Sequence, residues 1–196
     1  MSESISIILA GIGGKGVITV TNVLSHGLVT LGYDVKVSEV HGMSQRGGSV
    51  HAQVRFGTSI HSPLIEKGTA DYIVGFDQVE ALRWGSFLKL EGRMLVNMAE
   101  LKDDTYKGIY ESSFSQYLNT TFIQASTIAR ETGNIRNENF VMLGALLQSL
   151  GFEFDVWRPT MEKYIKKQFQ EGSILSLLGG MREQLAAEEK ETVYGL

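Results

Sequence analysis

Residues 11 to 16 read Gly-Ile-Gly-Gly-Lys-Gly and stand between an apolar run, Ile5 to Ala10, and an apolar-periodic stretch that begins at Val17. Glycine adopts positive φ freely and lets a ligand or another backbone approach closely, so this density of glycine marks a tight loop. The order of apolar run, glycine loop and periodic stretch predicts a strand, a turn and a helix whose unpaired N-terminal N–H groups can face an anion. Val17, Val20, Leu24, Leu28 and Leu31 fall on one face of that helix, and Gly32 suits its C-terminal end. A strand that feeds such a helix belongs to a sheet covered by helices, which is an α/β architecture.

The rest of the chain extends that pattern. Tyr33 to Val40 reads as a second strand. From Ser49 to Phe56, Val50, Ala52, Val54 and Phe56 alternate with His51, Gln53 and Arg55, as a half-covered strand should. Asp71 to Phe76 and Arg93 to Asn97 are short apolar runs that fit central strands, with Gln78 to Leu88 as the crossover between them. Phe122 to Ala125 supplies one more strand, followed by a helix from about Ser126. Phe140 to Leu150 is helical in period, with Asn137 and Asn139 as candidate N-caps. Pro159 to Phe169 and Ile174 to Ala187 read as two amphipathic helices divided near Gly172. The expected fold is therefore α/β, with a Rossmann-like, mixed or mostly parallel sheet flanked by helices over residues 1–151. Residues 152–196 form a helical C-terminal extension of the same domain, in which Phe152, Phe154 and Trp157 serve core packing or an interface.

Composition removes several function classes. The 196 residues include no cysteine, so the chain holds no disulfide, thiolate nucleophile or Cys-ligated iron–sulfur cluster. A net charge of −4, with Lys and Arg scattered, provides no basic stripe for nucleic acid. No stretch approaches a bilayer span and no secretory signal pattern is present, so a cytoplasmic location without membrane association is expected. His26, His41, His51 and His61 show no metal-ligand spacing, and no metal site is expected.

Gly11, Gly13 and Gly16 satisfy the dinucleotide spacing G-x-G-x-x-G, with Glu39 near the end of the second strand where a ribose-binding acid would stand. A stand-alone NAD- or FAD-binding protein is the alternative this supports. It lacks its context, because a polar glycine loop rather than a crossover helix follows the second strand. A Walker A loop is disfavoured as well, since Lys15 precedes Gly16 and Val17 sits where the hydroxyl belongs. The plainest reading is that the glycines only permit close strand–helix packing.

The loop after the second strand reads His41-Gly-Met-Ser-Gln-Arg-Gly-Gly-Ser-Val. Gly42, Gly47 and Gly48 allow close backbone approach, and Ser44, Gln45 and Arg46 place several donors on one short segment. Arg46 has the planar fork that grips an oxyanion bidentately. A surface turn with a solvated Arg46 explains the same residues equally well on physical grounds.

Together, Gly11-Ile-Gly-Gly-Lys-Gly and Ser38-Glu-Val-His-Gly-Met-Ser-Gln-Arg-Gly-Gly-Ser-Val resemble the gamma-type subunit or domain of 2-oxoacid:ferredoxin oxidoreductases, and the indolepyruvate-type subunits in particular. The likeness runs from about residue 4 through Asn139-Phe-Val-Met-Leu-Gly-Ala-Leu-Leu. It implies a subunit of a multisubunit oxidoreductase of anaerobic metabolism that supports coenzyme A-dependent oxidative decarboxylation of a 2-oxoacid. Indolepyruvate, branched-chain oxoacids, pyruvate and 2-oxoglutarate all fit, with aryl pyruvates favoured by the loop likeness. Thiamine diphosphate, magnesium and 4Fe-4S clusters are implied on partner subunits, with ferredoxin as the acceptor of the complex. The chain would carry no catalytic residue of its own and would be inactive alone; a homodimer of the isolated chain is compatible with this. Coenzyme A is the implied ligand of Gly11, Gly13, Gly14, Lys15, Gly16 and Val17. His41, Ser44, Gln45, Arg46, Gly47 and Gly48 are implied as a site or interface loop. Lys15 stands where relatives often carry Gln, and a cation there suits a polyanion or solvent.

Overall fold

The computed structural model describes residues 4–41, 47–98 and 112–194. Its elements in chain order are β1 (Ile5–Ile12), α1 (Val17–Thr30), β2 (Asp34–His41), β3 (Ser49–Gly57), β4 (Ala70–Gly75), α2 (Gln78–Trp84), β5 (Leu88–Asn97), β6 (Thr120–Ile123), α3 (Ala125–Glu131), α4 (Glu138–Ser149), α5 (Phe154–Tyr164) and α6 (Lys167–Tyr194). Single 3-10 turns at Gly85–Phe87 and Ile135–Asn137 precede β5 and α4.

Six strands form one mixed sheet in the order β2-β3-β1-β4-β5-β6. β1, β4, β5 and β6 run parallel to one another, while β3 lies antiparallel to both β1 and β2. Because side chains alternate along a strand, β1, β4 and β5 each feed two cores. Ile7, Leu9, Val54, Val74 and Leu95 point to the face covered by α1, α3, α4, α5 and α6. Ile8, Ala10, Ile73, Met94 and Val96 point to the other face, covered by Ala81 of α2 and by Phe114. The central parallel strands β1, β4 and β5 are thus apolar on both faces, as strands buried on two sides must be.

Two expectations drawn from glycine and proline are corrected. The C-terminal helices divide at Ile165, whose backbone is extended, and α6 continues unbroken through Gly172. Gly172 instead marks a close approach, since a Cβ there would lie 3.1 Å from Nδ2 of Asn137. Pro159, read as a helix start, falls inside α5, which begins five residues earlier at Phe154. Burial of Trp157 explains why the helix extends upstream: its indole is 0% exposed and seats against Gly27 of α1, where a Cβ would come within 2.1 Å of Cζ3. Phe152 meets the Trp157 ring edge-on at 5.6 Å, so this aromatic group is core.

Helices α4 and α6 touch backbone to backbone. A Cβ on Gly144 would lie 1.9 Å from the Leu177 carbonyl oxygen, and one on Gly180 would lie 1.9 Å from that of Val141. This pairing carries α4 tightly against α6 and fixes the start of α4 at the carboxyl edge of the sheet.

Candidate functional site

The glycine loop sits at the carboxyl ends of the parallel strands, where open α/β sheets place their ligands. Its residues have separate tasks. Gly11 is still within β1, opposite Val50, and a Cβ there would lie 2.9 Å from Cβ of Phe76 and 3.0 Å from Cγ2 of Val17. Its role is strand–helix packing. The Gly13 N–H donates to the Gly48 carbonyl at 2.8 Å, and the Lys15 N–H donates to the Ile12 carbonyl at 3.1 Å. Gly14 and Gly16 have φ of 98° and 75°, which makes the turn. Gly16 is the N-cap of α1 and offers no side chain, so the first N–H groups of α1, beginning at Val17, face outward uncapped. The Gly14 N–H has no partner among the described residues.

A second helix start meets the first. α4 begins at Glu138, and Glu138 Oε2 receives Lys15 Nζ at 3.0 Å and Asn97 Nδ2 at 3.2 Å. Asn97 closes β5, which explains a polar, buried side chain at the end of an apolar strand. Asn139, one residue into α4 and therefore not its N-cap, donates through Nδ2 to the Gly16 carbonyl at 3.4 Å. Asn137 occupies the cap position without a side-chain cap bond. Both amide oxygens, Oδ1 of Asn97 and of Asn139, are buried without a hydrogen-bond partner. Buried acceptors seldom stay idle, so these two call for donors.

Between the two helix starts lies a cleft of about 490 Å³ lined by Ile12, Gly13, Gly14, Lys15, Ile135, Arg136 and Glu138. Arg136 is exposed, and Ile135 shows an apolar side chain to solvent at 44%. The cleft combines two cations, the glycine-loop backbone and an apolar wall. A larger cavity of about 730 Å³ opens at the opposite edge of the sheet. There Lys89 pairs with Asp71 across two strands, and Arg93 pairs with Glu188, which holds α6 against β5.

His41 ends β2 opposite Val50, Gly47 has φ of 75°, and Gly48 ties the second loop to the first through Gly13. Ser44, Gln45 and Arg46, with Gly42, lie outside the described residues. Beside this loop, Ser49 Oγ donates to Oε2 of the buried Glu80 at 2.6 Å. His51 packs on Trp84 at 4.2 Å, and burial holds its imidazole below the usual histidine range against the opposing influence of Glu80.

Sequence reasoning singled out the glycine loop and did not single out Asn97, Arg136 or Glu138, which the structure places beside it. A readable signal existed for Asn97, a polar residue ending an apolar strand run. No such signal marks Glu138, whose partner Lys15 is 123 positions away. Among the described residues no group of three His, Asp or Glu could hold a metal ion, and no helix is long and apolar enough to cross a membrane. The dinucleotide alternative loses its structural basis, because β2 returns antiparallel through β3 where a Rossmann half would continue in parallel.

The fold is that of a glycine-loop α/β module, with a cleft beside the starts of α1 and α4 at this edge of the sheet. The chain belongs to the pyruvate ferredoxin/flavodoxin oxidoreductase family, whose model matches residues 6–177. It is 37% identical over 175 residues to indolepyruvate oxidoreductase subunit IorB of Thermococcus kodakarensis, covering 83% of each chain. With the same subunit of Pyrococcus horikoshii the identity is 38% over 158 residues, 75% of this chain and 78% of the relative. In fold it is similar to the keto/oxoacid ferredoxin oxidoreductase gamma subunit of Geobacter sulfurreducens, with a TM-score of 0.72 at 19% identity over 93% of this chain and 99% of that one. It is also similar to part of 2-oxoglutarate:ferredoxin oxidoreductase of Magnetococcus marinus, solved with 2-oxoglutarate, coenzyme A and succinyl-CoA bound; the TM-score is 0.76 at 17% identity over 95% of this chain and 32% of that one. The family is the one that the two glycine loops resemble.

Proposed function

We propose that this chain is the gamma-type subunit of an indolepyruvate-type 2-oxoacid:ferredoxin oxidoreductase, and that its cleft holds the phosphate-bearing part of coenzyme A. Family membership carries the first half. For the second, the supporting observation is the meeting of two uncapped helix starts with Lys15 and Arg136 around one cleft. Coenzyme A supplies the thiol that accepts the acyl group. Its phosphates suit the cations and outward N–H groups, and its apolar stretches suit Ile12 and Ile135. At about 490 Å³ the cleft is within the usual range for small-molecule sites, roughly 300–1,000 Å³.

In this reading the chain binds and orients, and partner subunits carry thiamine diphosphate, magnesium and the iron–sulfur clusters that deliver electrons to ferredoxin. A chain without cysteine leaves cluster ligation to others. Gly13 has its N–H committed to Gly48, so the anion contacts fall to Gly14 and to the start of α1. The loop His41 to Gly48 is assigned to the junction with the thiamine-binding partner, with Arg46 gripping an oxyanion or the partner.

Two measurements test this. The purified chain alone should reduce no viologen dye with any 2-oxoacid, and turnover should require co-expressed partners; turnover by the lone chain overturns the subunit reading. In the assembled enzyme, Arg46→Ala should lower activity at least about tenfold, the loss of one charge-assisted hydrogen bond. Wild-type kinetics in that variant would return the loop to an ordinary surface turn.

A further inference from the structure

Lys15 is the cation of the cleft nearest the helix starts, yet its charge is already answered by Glu138. The Glu138 side chain is 15% exposed and that of Lys15 38%, and both residues line the cleft. Glu138 Oε2 also takes the Asn97 amide proton, and Glu138 stands in the first turn of α4, where the helix favours a negative group. One carboxylate oxygen therefore uses three features that would otherwise serve a ligand oxyanion. Oδ1 of Asn97, the same amide that donates to Glu138, and Oδ1 of the neighbouring Asn139 are buried without a partner.

We propose that Glu138 is a self-ligand of the cleft: its carboxylate occupies the oxyanion place beside Lys15 and Asn97, and must swing away before a phosphate-bearing ligand can seat. The proposal rests on the reading of the cleft as an anion site and adds its selectivity. A small anion such as inorganic phosphate gains little by displacing a carboxylate that already makes two good bonds. A ligand with several phosphates also reaches Arg136 and the Gly14 backbone, which line the same cleft. The latch thus rejects free phosphate and admits the larger polyanion.

Calorimetric titration of the assembled enzyme, without oxoacid, with coenzyme A and with inorganic phosphate tests the latch. Wild type should bind coenzyme A and give no heat of binding with phosphate. Glu138→Gln keeps the shape and the Asn97 bond but frees Lys15; it should bind coenzyme A roughly three- to tenfold more tightly, the scale of a partly exposed ion pair, and make phosphate binding measurable. Lys15→Met should weaken coenzyme A binding by leaving an unanswered carboxylate in the cleft, and adding Glu138→Gln to it should recover affinity. Unchanged or weaker coenzyme A binding in a folded Glu138→Gln enzyme overturns the latch, as does absence of recovery in the double variant. Should Arg136→Ala leave coenzyme A binding untouched, or should wild type bind none, the reading of the cleft itself fails and the latch falls with it. A loss in Arg136→Ala without a gain in Glu138→Gln rejects the latch alone.

Discussion

Two glycines of the first loop differ only in their surroundings. Gly14 and Gly16 both hold positive φ, but nothing lies within 4 Å of a Cβ on Gly14, while one on Gly16 would come within 2.4 Å of Asn139 Nδ2. Gly14→Ala should then cost only the left-handed strain, roughly 1–2 kcal/mol. Gly16→Ala should cost that strain plus an overpacking penalty of about 1–3 kcal/mol. Urea unfolding of both variants checks the order, and equal losses would mean that Asn139 simply moves aside. His51 provides a test by pH. Its folded imidazole titrates below 6.5, so the unfolded chain takes up the proton first on acidification. Its contribution is complete above about pH 7 and is lost as pH falls through 6.5 toward the lower folded value. The fall in Tm between pH 7.5 and 5 should accordingly be smaller in His51→Gln than in wild type; parallel curves would show that the ring is not buried in solution. At this scale the sequence marks the glycine loop as a turn, and it does not separate Gly14 and Gly16, which turn, from Gly11, which packs. It does not reveal that Gly13 spends its N–H on Gly48 or that Lys15 meets Glu138, because both partners arrive only through tertiary packing.

Among the elements, the α4–α6 pair makes the sharpest demand. Gly144 and Gly180 each face a backbone carbonyl, which cannot rotate away as a side chain can. Gly180→Ala should destabilise the chain by about 3 kcal/mol or more, while Gly179→Ala, which would meet side-chain methyls alone, Cγ2 of Ile128 at 2.6 Å and Cγ2 of Thr132 at 3.9 Å, should cost clearly less. Thermal unfolding of the two adjacent variants reads the difference directly. Strands and α1 are legible because their periodicity is strong: Tyr33 to Val40 and Ser49 to Phe56 fall within a residue of the observed β2 and β3. The helical C-terminal part misleads because glycine there serves contact instead of termination. Gly172, Gly179 and Gly180 all lie within α6, where helix interiors tolerate glycine at a cost of ~1 kcal/mol when packing repays it.

For the molecule as a whole, the C-terminal helices complete the principal core. Trp157, Met161 and Leu177 join the cluster formed by α1 and the sheet. A chain truncated after Gly151 should lose cooperative unfolding and bind a hydrophobic dye; a sharp thermal transition in the truncated chain would show that residues 152–196 are dispensable for folding. The α/β class and the carboxyl-edge placement of the first loop follow from a strand–glycine–helix order, which is why they are readable without a structure. Strand order is a different matter, since nothing local in Asp34 to Gly57 announces that β3 will insert between β1 and β2. The bond from the Gly13 N–H to the Gly48 carbonyl also has a use at the bench. It joins the two glycine loops by a single amide whose proton is shielded only while they remain clasped, whereas the neighbouring Gly14 proton is open to solvent. Hydrogen exchange at these two adjacent amides therefore acts as a paired gauge: a slow Gly13 beside a fast Gly14 reports loops held together, and equal fast exchange reports that docking of a ligand or subunit has prised them apart.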